Sequence, residues 1–238
     1  MIARMLVVIV GLFCLHPIAY AVLNVTYIEQ EVVQNLAGQP KTKTIQRIWY
    51  TDTMLRFETT SGKQSSISIF DVKADRVYLM PTEEKQYLEV KINDYRRIVA
   101  MQMASAGLGD EKSQPKLTKT DEEKKIGDWQ CRKIVFEQGG ELSVKSELWV
   151  TKDINMDFKA YLVLMKRIGI EKMLGRLTEY ATAIDGYPVQ VNTEQVVNRQ
   201  HITSRTRVIK ITVSPTDQSL FSVPAGYKRM SDTLSESK

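Results

Sequence analysis

The shortness of the links between apolar segments constrains the first half of this chain more than any other feature. Leu55-Arg56-Phe57-Glu58 and Ser66-Ile67-Ser68-Ile69 each alternate apolar with polar residues, and Ser61-Gly62-Lys63 supplies the turn between them. Val77 to Met80 and Tyr87 to Val90 follow, separated only by Pro81 to Lys85. A β-branched run over 23–33, closed by Asn35 to Pro40, and a second run over Thr42 to Tyr50 precede them. Parallel neighbours need crossovers of about a dozen residues or more, so strands joined this tightly pair antiparallel as a meander. The period of two further predicts one buried face and one wet face.

The rest of the chain reads as two helical segments and further strands. Tyr95, Ile98, Val99, Gln102 and Met103 recur at helical spacing behind Asn93 or Asp94 as a cap, up to Ala106-Gly107-Leu108-Gly109. Residues 109–116, with Pro115, read as a flexible loop. Leu117 to Lys125 is charged and suits a sheet edge, where charge discourages pairing with other chains. Gly127-Asp128 turns into Trp129 to Glu137, and Gly139-Gly140 into Val144 to Val150. Over 157–177, Phe158, Tyr161, Leu162, Met165, Ile168 and Met173 trace an apolar helical stripe, weakened at Gly169 and Gly175. A long hairpin, Tyr187 to Val197 and Ile202 to Val213, turns at Asn198-Arg199-Gln200, and Leu220 to Lys228 forms an apolar closure. The expected fold class is α+β: a single large curved antiparallel sheet covered by two helical segments, one domain over 22–230 with a frayed tail at 231–238.

The N-terminus carries an export signature. Arg4 precedes the uncharged stretch Met5 to Leu15, and Ala19 and Ala21 occupy the small positions of a cleavage site before Val22. His16-Pro17 interrupts the apolar run well short of the roughly 20 residues a spanning helix needs. Phe13 before Cys14 is too bulky for a lipoprotein cleavage site. Residues 1–21 therefore read as a signal peptide, and the mature chain is expected in the periplasm with no transmembrane segment. Their removal takes Arg4 and lowers the formal charge from +5 to +4. That excess is spread thinly, without the clustered basic stripe that nucleic acid would require. Cys131 remains as a single cysteine, which excludes an internal disulfide and suits a small buried hydrophobe.

Catalytic constellations are missing from the pattern. His201 is the one histidine left after export and lies in an alternating strand; no zinc-type ligand spacing or phosphate-cradling glycine loop accompanies it. No enzyme activity, metal or cofactor is expected. Apolar surface is what stands out, including Met101, Met103, Met156, Met165 and Met173 on or beside the helical segments. Flexible thioethers suit either an ordinary core or a surface adapting to varied apolar partners.

Several segments resemble an uncharacterised group of exported proteins similar to the LolA/LolB superfamily of lipoprotein carriers. They are Ile48-Trp49-Tyr50 with Leu55-Arg56-Phe57-Glu58, Val77-Tyr78-Leu79 with Lys85-Gln86-Tyr87, Ile126 to Lys133, Glu147 to Asp153, and Leu220 to Tyr227. The resemblance implies a half-barrel of antiparallel strands, helices over a hydrophobic cavity, and binding of a lipid or an acylated protein. Alternation then selects Ile48, Leu55, Phe57, Ile67, Ile69, Val77 and Leu79 on strands as cavity lining, with Met103, Leu162 and Met165 on helices. The other reading is an envelope module holding a protein partner by a sheet face or edge, with 187–197 or 202–213 as the exposed strand.

Overall fold

β1 (Val22–Leu36) organises the molecule because both of its edges are used. It pairs antiparallel with β2 (Thr42–Tyr50) on one side and with β11 (Gln200–Asp217) on the other. In this computed structural model, which describes residues 22–105, 114–139, 143–154, 156, 158–169, 181–197 and 200–230, the meander continues outward from β2. It runs through β3 (Met54–Ser61), β4 (Gln64–Asp71), β5 (Arg76–Pro81) and β6 (Gln86–Val90). Beyond β11 come β10 (Tyr187–Val197), β9 (Ser143–Thr151), β8 (Trp129–Gln138) and, outermost, β7 (Lys116–Ile126). A two-residue β12 (Lys228–Arg229) adds to β6 in parallel. Among the described residues these strands form one twelve-stranded open sheet, antiparallel except at that last pair.

The meander has the antiparallel pairing its short links require, and charged β7 lies at the edge. The long hairpin does not lie at an edge. β10 is paired with β9 and β11, and β11 is paired with β1 along its length and with β10 over 200–207, so 187–197 is not an exposed strand and, of 202–213, only 208–213 has a single strand partner. Sequence alternation cannot tell a central strand from an edge one when both have polar residues outward.

The expectation of a wet second face is corrected as well. On one face, the helix face, Ile28, Ile48, Leu55, Phe70 and Val77 pack with Ile92 of α1 (Ile92–Ser105) and with Leu164, Met165 and Ile168 of α2 (Phe158–Ile168). On the other, Val25, Ile69 and Met80 are buried with Phe221, and Leu220, Val223 and Tyr227 close around them. The C-terminal segment folds back over the meander and gives its second face a cover of its own. Further along the sheet, Ile134, Phe136, Leu148 and Val150 form a separate cluster with Ile184 of the short α3 (Ala181–Ile184).

Arg56 anchors the returning tail. It is only 8% exposed, donates from Nη1 to the Leu220 carbonyl at 2.8 Å, and pairs through Nη2 with Glu58 at 2.6 Å. The Asp217 carboxylate accepts from the Ser219 N–H at 2.7 Å, which caps the 3₁₀ turn Gln218–Phe221. A charge-assisted bond and a cap thus fix a segment otherwise held by apolar contact alone.

Candidate functional site

Each helix is positioned by a local device. α1 begins where the Asp75 carboxylate, on the turn between β4 and β5, accepts from the Ile92 N–H at 3.3 Å. The cap thus comes from outside the helix; Asn93 and Asp94 sit within its first turn. α2 stops at Gly169, whose φ of +84° favours glycine and whose N–H donates to the Lys166 carbonyl at 3.2 Å. A methyl group at Gly169 would overlap Cγ of Arg96, which crosses there from α1. Arg96 donates from Nη2 to the Arg167 carbonyl and from Nη1 to Asn93 Oδ1. The two helices are tied at this point, with a cation at the negative end of α2.

Between them lies a cleft of about 620 Å³. Val99, Ala100 and Val163 give it an apolar floor, and Arg96, Arg97, Lys166 and Arg167 surround it. Val99 is buried while Val163 is 50% exposed, and Met101 on α1 is 70% exposed. Arg97 pairs with Asp94. Among the described residues no carboxylate pairs with Lys166 or Arg167.

The residues singled out in the sequence divide between two faces. Ile48, Leu55, Phe57, Val77 and Leu79 lie on the helix face with Met165. Leu162 is half-buried on α2. Met103 belongs to α1, but its side chain lies outside the described residues. Ile67 and Ile69 are on the other face, against the tail. The register explains this correction: Leu55 stands opposite Phe70, while Arg56 stands opposite Ile69. Phe70, not Ile69, is therefore the β4 residue facing the helices. Ala106 to Gly109 and Gly175, with Met173, lie outside the described residues, as do Gly140 and residues 1–21 and 231–238. The basic rim was not found from sequence because its halves are some seventy residues apart, and each looks like an ordinary polar helix side.

Under the helices the core is aromatic. Tyr50 and Tyr161 have ring centroids 5.0 Å apart, and Phe158 meets Tyr187 edge-on at 5.3 Å. Burial pushes the phenols of Tyr161 and Tyr187 well up from their ordinary value. Trp149 is nearly buried, with Lys124 Nζ 3.7 Å from its ring centroid. Cys131 is 1% exposed, and burial raises its thiol, so the reactive thiolate is disfavoured. It lies on β8, whereas His201 is exposed on β11 with β9 and β10 between. Among the described residues no group of three or more His, Cys, Asp or Glu side chains is placed to hold a metal. No described helix is long and apolar enough to cross a membrane.

Three solved structures follow a similar course. An uncharacterized conserved protein from Thermus thermophilus aligns with a TM-score of 0.47 at 9% identity, over 87% of this chain and 89% of that one. The LolA superfamily protein NE2245 from Nitrosomonas europaea aligns with a TM-score of 0.38 at 5% identity, over 84% of this chain and 90% of that one. The MucA/MucB complex of Pseudomonas aeruginosa aligns with a TM-score of 0.38 at 10% identity, over 84% of this chain and 56% of that one. No match is found among curated proteins. The family described as "Domain of unknown function (DUF4412)" matches residues 34–227, from the end of β1 to the tail before β12, and the chain belongs to that family.

Proposed function

We propose that this chain is an exported, non-enzymatic binder or carrier of an apolar ligand, a lipid or an acyl chain, held in the cell envelope. The observation that carries this reading is the cleft between α1 and α2, with apolar lining from Val99, Ala100 and Val163, between helices that also pack on the apolar core. Ligand sites are mostly apolar with a few placed polar groups, and the cleft has that composition. Ile48, Leu55, Phe57, Val77, Leu79, Leu162 and Met165 would form the ligand's surroundings once the helices part, with Met103 added from α1. Flexible Met156 and Met165 side chains suit such repacking. A half-barrel curvature of the sheet would wrap the chain of the ligand.

The periplasm is the proposed location, reached by cleavage after Ala21. Sequencing the exported protein should find Val22 first. Holding a protein partner by strand addition is disfavoured. The outer strand β7 is charged at Lys119, Asp121, Glu122 and Glu123 and shifts register between Lys119 and Glu123, and β12 has two residues.

The test is native mass spectrometry of protein purified from the periplasm without detergent, followed by solvent extraction. A discrete added mass that releases a fatty acid or phospholipid is the expected result. A bare polypeptide mass, unchanged after incubation with lipids, would overturn the reading.

A further inference from the structure

We infer that the cleft between α1 and α2 selects an amphiphile by its anionic headgroup, with Lys166 and Arg167 holding the phosphate of a phospholipid; this rests on the apolar-ligand reading. Basic residues in the last turn of a helix ordinarily serve its terminal carbonyls. Here Arg96 of α1 takes that role by donating to the Arg167 carbonyl. The charged ends of Lys166 and Arg167 are exposed and, among the described residues, meet no carboxylate. Arg97 already has Asp94, and Arg96 has Asn93 and Arg167, so these two supply field and scaffold.

The placement beside apolar surface identifies the occupant. Val163 is exposed in the same cleft as those cations, Ala100 adds to the apolar lining, and Val99 continues it inward. A wholly apolar ligand brings no counterion to the cations, which meet none among the described residues, and a soluble anion leaves the apolar lining wet. A molecule with a negative head and an apolar chain satisfies both. Each cation near an anionic lipid surface contributes about a fivefold gain in binding, and salt screens it over roughly 10 Å.

The experiment compares retention of fluorescent phosphatidylglycerol and phosphatidylcholine, supplied from vesicles, by the exported protein. The variants are Lys166→Glu/Arg167→Glu and, as a control of equal charge change, the exposed pair Lys41→Glu/Lys63→Glu. Phosphatidylglycerol should be retained at least about tenfold better than phosphatidylcholine. The preference should vanish in the first variant, survive in the second, and weaken at high salt. Equal retention by the native protein, or a preference untouched by Lys166→Glu/Arg167→Glu, overturns the inference. Uptake of a neutral naphthylamine probe reports the apolar-ligand reading separately. If native protein ignores the probe yet prefers phosphatidylglycerol through Lys166 and Arg167, headgroup selection stands and the apolar cavity falls. If it takes up the probe without headgroup preference, the reverse holds.

Discussion

The meander β1–β6 and the strands β7–β11 belong to one sheet but are secured in different ways. In the meander, apolar side chains occupy both faces, under the helices on one side and under the C-terminal tail on the other. In β7–β9 the helix face mixes Trp149 with lysines: Lys124 lies over the ring, and Lys133 pairs with Glu122 and Glu147. A separate apolar cluster on β8 and β9 is closed by Ile184. One half gains its stability from a distant segment, the other from its own ladder and a single turn of helix. The aromatic chain Tyr50, Tyr161, Phe158 and Tyr187 joins the halves, since Tyr50 lies on β2 and Tyr187 on β10.

The largest effect that would separate the halves is expected at Phe221. Phe221→Ala should cost about 3 kcal/mol or more, and hydrogen exchange should rise in β3–β5 while β8 and β9 stay protected. Uniform loosening of all strands would show that the tail is not specific to the meander. Arg56→Ala comes next, at about 1.5–3 kcal/mol, because it removes a charge-assisted bond to Leu220 and leaves Glu58 without its partner. Its hydrogen-exchange pattern should match that of Phe221→Ala.

Alkali tests the junction. Burial, helped by Glu29, pushes Tyr27 up to about 12, and burial keeps Tyr161 and Tyr187 above their ordinary value of 10.0. The folded chain holds these phenol protons more tightly than the unfolded chain does. Their contribution is therefore complete below pH 10 and is lost as pH rises above it. Unfolding followed by tyrosinate absorbance and by tryptophan fluorescence should coincide in one transition. Two transitions would mean that the halves separate before they unfold. The smallest effect is expected for Lys124→Gln, about 0.5–1 kcal/mol from the cation over Trp149, with exchange rising only in β7–β9.

How much of this was readable in the sequence follows from how far the deciding partner lies along the chain. Links such as Ser61-Gly62-Lys63 specify antiparallel neighbours locally, so the meander was legible. The charged edge at β7 was legible for the same reason. Alternation groups Ile67 and Ile69 with Leu55 because it cannot assign absolute faces; the face depends on which side Phe221 comes to cover. The sequence offers Asn93 or Asp94 as the α1 cap, whereas the structure takes it from Asp75, in a left-handed turn at φ +55°. The central position of β10 and β11 depends on β1 returning to pair with β11. The basic cleft arises only when Arg96 crosses to Gly169.

The link from Arg56 to Leu220 also sets the order in which the molecule can be completed. Residue 56 leaves the ribosome long before residue 220. Until the last stretch arrives, Val25, Ile69, Met80 and Tyr78 present an uncovered apolar surface. The meander can pair its strands early, since its contacts are local, yet it stays adhesive until the chain is finished. That surface is open to other chains until then, and loss of the segment from Leu220 to Tyr227 would turn a folded domain into an aggregation-prone one.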